Sequence, residues 1–226
     1  MSYIPIERDG TGVFNLLHRR RCTLLLCALL ALLVLYPYML GDKAEFSLAL
    51  ELLTSGVLLA GLYAMGTHRW ELSIGLLLLV PTLFGNWTEA RADASLLGLL
   101  MVLSEIAFFG FVTVAMFAYV LSGRLLVGDR LQGALSVYLL IGVTFSLLYE
   151  LLEILVPGSI SVPGGNPTGA ELLYYSFVTL TTLGYGDVLP ATPQAQSLAI
   201  LESVIGVLYV AVLVSWLVGA LGNGQE

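Results

Sequence analysis

Long apolar runs broken by short polar segments set the pattern of the chain. Six runs stand out: Cys22–Leu40, Phe46–Met65, Leu72–Trp87, Ala94–Leu121, Leu131–Val156 and Ala195–Leu221. A helix crossing a bilayer needs about 20 mainly apolar residues, so the pattern predicts six transmembrane helices. The third run is short and carries Pro81. Arg19-Arg20-Arg21 ahead of the first run resembles the start of a signal peptide. That run is long for one, however, and no A-x-A cleavage pattern closes it. It is read as a retained helix.

Composition agrees with this reading. The 226 residues are 58% hydrophobic and 11% charged, against roughly half apolar and a quarter charged in a soluble domain. The predicted class is an all-α integral membrane protein. A net charge of −7 argues against a nucleic-acid partner, which needs a basic face. Six spans place both termini on one side. With the N-terminus inside, the inner segments hold Arg8, Arg19, Arg20, Arg21, Arg69, Arg124 and Arg130, and the outer ones only Lys43 and Arg91. Basic residues favour cytoplasmic loops, so both termini are expected in the cytoplasm and the host membrane is expected to be the plasma (inner) membrane. Tyr36, Tyr38, Trp70, Trp87 and Trp216 fall near span ends, where amphipathic rings settle. Cys22 and Cys27 lie five apart in the first run and read as two small buried hydrophobes.

The segment between runs five and six is too long for a simple turn. Pro157–Gly169, PGSISVPGGNPTG, is rich in turn formers. Ala170–Thr182, AELLYYSFVTLTT, is apolar and turn-free, long enough for a half-length helix that Thr168 would cap with Glu171 as its capping-box partner. The chain must then return through Leu183-Gly184-Tyr185-Gly186 as extended backbone. Non-helical backbone at membrane depth is tolerated only inside protein or along a watery path. The glycines supply positive φ without a Cβ clash. Alternating them with other residues lets successive carbonyls face one side. Rings of such oxygens from four copies would replace the hydration shell of a potassium ion.

Thr182-Leu183-Gly184-Tyr185-Gly186-Asp187 resembles the signature filter of the potassium channel family. The likeness extends back through Tyr174–Thr181 and forward through Pro190 to Gly206, covering roughly Leu131–Leu221. Over the first four spans it is one of helix number only. It implies the following organisation: a cytoplasmic N-terminus at 1–21, a four-helix membrane domain at 22–121, a cytoplasmic linker at 122–130 and a pore domain at 131–222. Within the pore domain it implies a pore helix at 170–181, a filter at 182–186 and an inner helix at 195–221. The carbonyls of Thr182, Leu183, Gly184 and Tyr185, with the Thr182 hydroxyl, would line the potassium sites, and Gly186 would complete the filter. Asp187 would sit at the outer mouth. The Tyr185 ring would pack on Tyr174 or Tyr175. Glu150 resembles the glutamate that braces the backbone behind the filter, with Glu153 as its competitor. Gly206 falls where the family often has a hinge, though close packing explains a glycine there equally. Leu183 stands where valine is usual, and Val178 where some relatives have a buried glutamate. One filter strand cannot enclose an ion, so a homotetramer in the lipid bilayer is expected, with potassium as the permeant ligand and no cofactor.

Ala94–Leu121 contains no Lys or Arg, whereas steep voltage gating needs several mobile charges. The first four spans therefore read as a scaffold, with Gly56, Gly61, Gly75 and Gly98 as packing sites. Glu105, the one charge in that run, is either a neutral acid tied to a neighbouring helix or a proton sensor. Glu202, in the outer half of the sixth run, is placed close enough to the pore helix to hydrogen-bond there. Ser122–Gly133 reads as an interfacial linker. His18 and His68 form no catalytic cluster, and an enzyme is not expected. The function so inferred is passive potassium conduction; the alternatives are a weakly selective cation channel or a secondary transporter, the latter disfavoured by the lack of an internal repeat.

Overall fold

The structure, a computed structural model, describes residues 21–38, 44–65, 69–86, 96–121 and 127–222. Several residues used above lie outside them: Arg8, Arg19, Arg20, Lys43, Arg91 and Arg124, which set the expected orientation, and linker residues 122–126. The chain forms α1 (Arg21–Leu35) with a 3-10 turn at Tyr36–Tyr38, α2 (Ala44–Met65), α3 (Arg69–Asn86), α4 (Leu96–Leu121) and α5 (Val127–Leu155). Then come β1 (Ile160–Ser161), α6 (Gly169–Leu180), β2 (Leu189–Pro190) and α7 (Pro193–Gly222).

Among the described residues, three helices are long and apolar enough to cross a membrane, over Leu96–Leu121, Asp129–Leu155 and Pro193–Trp216. The apolar stretches Arg21–Leu35, Glu51–Ala64 and Trp70–Gly85 are shorter. The chain is a multi-pass membrane protein of helices. α5 begins inside the expected linker, at Val127, because no proline lies between there and Leu155. Asp129 in its first turn suits the positive end of the helix dipole.

α1 and α4 each bury one stripe. In α1 it is Cys22, Leu25, Leu29 and Leu32, at the three- and four-residue spacing of one helical face. In α4 it runs Gly98, Met101, Val102, Phe108, Phe109, Val112, Met116 and Val120. The partly buried Glu105 interrupts this stripe. These stripes meet Val57 and Leu58 of α2, Leu79 of α3 and Val137, Leu140 and Val143 of α5 in one core. Cys27 is exposed, unlike Cys22, because the five-residue offset turns it off the stripe. Of the expected packing glycines, a Cβ on Gly61 would touch Val112 and Phe108 of α4 at 3.5 to 3.6 Å, while one on Gly56 would meet open space. α1 is also tied to the start of α5, where the Thr23 hydroxyl donates to Gln132 at 2.5 Å.

A second core lies between the C-terminal half of α5, α6 and the start of α7, built on Phe145, Tyr149, Ile160, Leu172, Tyr175, Val188 and Ala195. β1 and β2 pair antiparallel above it, Ile160 opposite Pro190 and Ser161 opposite Leu189. This clip fastens the loop before α6 to the chain that follows the turn at residues 181–188.

Candidate functional site

α6 begins where the sequence places its cap. The Thr168 Oγ1 accepts from the Glu171 backbone N–H at 3.3 Å, and Glu171 Oε2 accepts from the Thr168 N–H at 2.8 Å. This reciprocal box satisfies two of the helix's otherwise unpaired donors. At 12 residues the helix is about 18 Å long, too short to cross a bilayer. Its last turn leads straight into the Thr182–Gly186 segment, to which it presents the partial negative charge of a helix C-terminus.

The segment is not helical. Thr182, Gly184 and Gly186 have φ of +58°, +57° and +81°, while Leu183 and Tyr185 do not take positive φ. Left-handed residues at every second position keep successive carbonyls from alternating as they do in a strand. Two glycines accept this geometry freely; Thr182 does not, and a β-branched residue there is strained. The upstream end is held by α6. Val178 O accepts from both Leu183 N (2.9 Å) and Gly184 N (3.4 Å), and Thr179 O accepts from Thr182 N (2.9 Å). Downstream, Asp187 Oδ2 accepts from the Tyr174 hydroxyl at 2.8 Å, and Oδ1 accepts from the Val188 N–H at 3.1 Å. The bond to Asp187 pushes the Tyr174 phenol up to about 12, because ionising it would remove the donor and set two negative charges together.

Every residue from Thr181 to Asp187 is exposed in the single chain, with Leu183 at 54% and Tyr185 at 66%. Tyr185 is close enough to Tyr174 to act on it electrostatically, yet most of its surface is open in the single chain. The Tyr174 hydroxyl is engaged by Asp187, and the Tyr175 ring meets Tyr149 edge-on at 4.9 Å.

Of the two acids considered for bracing, Glu153 holds loop backbone, its carboxylate accepting from Gly158 N at 2.6 Å and Ile160 N at 3.0 Å. Glu150 is partly buried one turn earlier on α5. At Gly206 a Cβ would lie 2.1 Å from Leu180 O and 3.0 Å from its carbonyl carbon. Here α7 touches the end of α6 directly, so the glycine serves close approach. Gly142 does the same for α5, where a Cβ would lie 2.6 Å from the Phe177 ring.

One group escaped the sequence reading. Tyr149, Ser176 and Glu202 form a buried cluster: the Tyr149 hydroxyl donates to Glu202 Oε2 at 2.7 Å, and Ser176 Oγ lies 2.5 Å from Oε1. An acid in an apolar run flagged Glu202; nothing local marked its partners, 53 and 26 residues away.

Residues 133–222 match the family model described as Ion channel. Over 94 residues the chain is 42% identical to two pore potassium channel c of Oryza sativa subsp. japonica, an alignment covering 41% of this chain and 19% of that protein. The chain therefore spans about a fifth of that relative's length. No solved structure matches. The stretch from α5 to α7, which carries the Thr182–Gly186 turn, is thus the part of the chain that is similar to ion channels.

Proposed function

We propose that the chain is one subunit of a potassium-selective channel, four copies of which bring Thr182–Gly186 around a common axis. The observation that carries this reading is the alternation of left-handed φ at Thr182, Gly184 and Gly186. It suits a backbone that turns consecutive carbonyls, and the Thr182 hydroxyl, toward one side, where oxygens from four chains replace a potassium ion's water shell. Thr182, Leu183, Gly184 and Tyr185 supply the sites, Gly186 closes the filter and Asp187 lies at the mouth. The C-terminus of α6 adds a partial negative charge at the filter's inner end. α7 supports the assembly: Ile200, Leu201, Val204, Val207 and Leu208 are all exposed in one chain, an apolar face suited to neighbouring subunits and lipid.

Conduction is passive and not steeply voltage-gated, since α4 carries no Lys or Arg. Six spans, including the three shorter apolar helices, place both termini in the cytoplasm of a plasma (inner) membrane. Glu105 remains the candidate proton sensor. The test is ion flux through the purified full chain in liposomes under potassium and sodium gradients. A reversal potential that follows potassium is expected. Equal permeability to sodium, or no flux, overturns the reading.

A further inference from the structure

We propose that Glu202 is a neutral carboxylic acid whose proton is donated to Ser176, and that it is a positioning residue locking α6 between α5 and α7. Its effect on conduction rests on the channel reading; its protonation does not.

The argument is a count of protons. Glu202 is fully buried, at 0% exposure. Five oxygens join in a chain: Tyr149 Oη to Glu202 Oε2 at 2.7 Å, Glu202 Oε1 to Ser176 Oγ at 2.5 Å, and Ser176 Oγ to Gly142 O at 2.7 Å. The Gly142 carbonyl can only accept. The Ser176 hydroxyl has a single hydrogen, and the contact with Gly142 O requires it. Two oxygens in such contact with no hydrogen between them repel. The hydrogen between Ser176 and Glu202 must therefore come from Glu202. Tyr149 then donates to the other carboxyl oxygen, and each of the three contacts has one proton.

The surroundings agree. The groups facing Glu202 are Tyr149 and Tyr138 from α5 and Tyr175 and Ser176 from α6. Among the described residues no Lys, Arg or His contributes charge there. An ionised carboxylate so placed would be an uncompensated buried charge, which is far costlier than a hydrogen-bonded neutral acid. The three bonds join α5 at Gly142 and Tyr149, α6 at Ser176 and α7 at Glu202. Ser176 lies two residues before Val178, whose carbonyl accepts from Leu183 and Gly184. The acid thus steadies the turn of helix on which the proposed filter hangs.

The test is infrared spectroscopy of the full chain in liposomes at neutral pH, as a wild-type minus Glu202→Gln difference. A carboxylic-acid C=O band that moves on exchange into D2O is expected to vanish in Glu202→Gln, and to shift in Ser176→Ala, where its acceptor is gone. Glutamine offers the same donor and acceptor, so Glu202→Gln should assemble and keep potassium flux within about twofold, while Glu202→Leu, which leaves the Tyr149 hydroxyl without its partner, should lose about tenfold. A carboxylate band in place of the acid band overturns the proposal, as does failure of Glu202→Gln to assemble. If the acid band is present but the wild-type chain carries no potassium, the channel reading alone fails.

Discussion

Replacing Gly206 with alanine separates close packing from hinge motion. The added methyl would stand 2.1 Å from Leu180 O, 3.0 Å from its carbonyl carbon and 3.1 Å from its Cδ1. The nearest obstacle is backbone at the end of α6, so no rotamer change relieves it. α7 must instead back away by roughly 1 Å to restore contact distance. Overpacking of this kind costs about 3 kcal/mol at the upper end of its range. Alanine's better helix propensity returns about 1 kcal/mol, leaving about 2 kcal/mol per subunit. At 2 to 4 °C per kcal/mol for a chain of this size, the unfolding midpoint should fall by about 4 to 8 °C. The displaced carbonyl also accepts from the Tyr138 hydroxyl at 3.4 Å and sits two residues before Thr182, so potassium flux should fall as well. Gly110→Ala is the control, because a Cβ there meets nothing within 4 Å; it should be neutral or gain up to about 1 kcal/mol. Thermal unfolding in detergent and liposome flux read both variants. If Gly206→Ala melts no lower than wild type, the close contact is refuted. If only its gating changes, the glycine is a hinge.

Three further outcomes follow from the same geometry. Gly184→Ala forces a side chain into φ +57°, a strain of about 1 to 2 kcal/mol, and should abolish flux; retained selectivity would mean the left-handed turn is not required. Tyr174→Phe removes the bond to Asp187 and should alter potassium-over-sodium discrimination with assembly unchanged. Because the Tyr174 value is raised from 10 to about 12, that bond is intact below pH 10 and fades as pH passes about 12; a lower tyrosinate titration midpoint assigned by difference with Tyr174→Phe would contradict it. Glu153→Gln weakens the acceptor for Gly158 N and Ile160 N and should lower stability by about 1 kcal/mol, measured as an unfolding midpoint.

What the sequence made legible were features of short range. The Thr168–Glu171 box, the turn-rich Pro157–Gly169 loop and the glycines at 184 and 186 each follow from a few adjacent residues. Features of longer range were not legible. Whether Glu150 or Glu153 braces the loop depends on helix register, which an apolar run with scattered acids does not define. Gly206 reads equally as hinge or packing site, because its contact with Leu180 comes from another part of the chain. Tyr149, Ser176 and Gly142 looked like ordinary span residues, because only tertiary packing brings them to Glu202. The left-handed Thr182 went against its own β-branched preference, so local propensity pointed away from it.

That last residue shows how the site is held. A left-handed L-residue costs about 1 to 2 kcal/mol, and Thr182 takes that conformation between two residues fixed from outside. Upstream, α6 carbonyls accept from Thr182, Leu183 and Gly184; downstream, Asp187 is clamped by Tyr174 and followed by the β1–β2 clip. The middle has no such cover. Thr182, Gly184 and Gly186 border an open pocket of about 330 Å³ with Tyr175, Val178 and Ser203, and Leu183 and Tyr185 are more than half exposed. One chain thus ties the backbone of the turn as far as Gly184 and again at Asp187, and leaves the Leu183 and Tyr185 side chains largely exposed. In the proposed assembly, neighbouring copies bury Leu183 and Tyr185 and the permeant ion satisfies the carbonyls. The conformation of residues 182–186 and the association of subunits are then a single equilibrium: whatever weakens the ring of four also releases Thr182 from its strained φ.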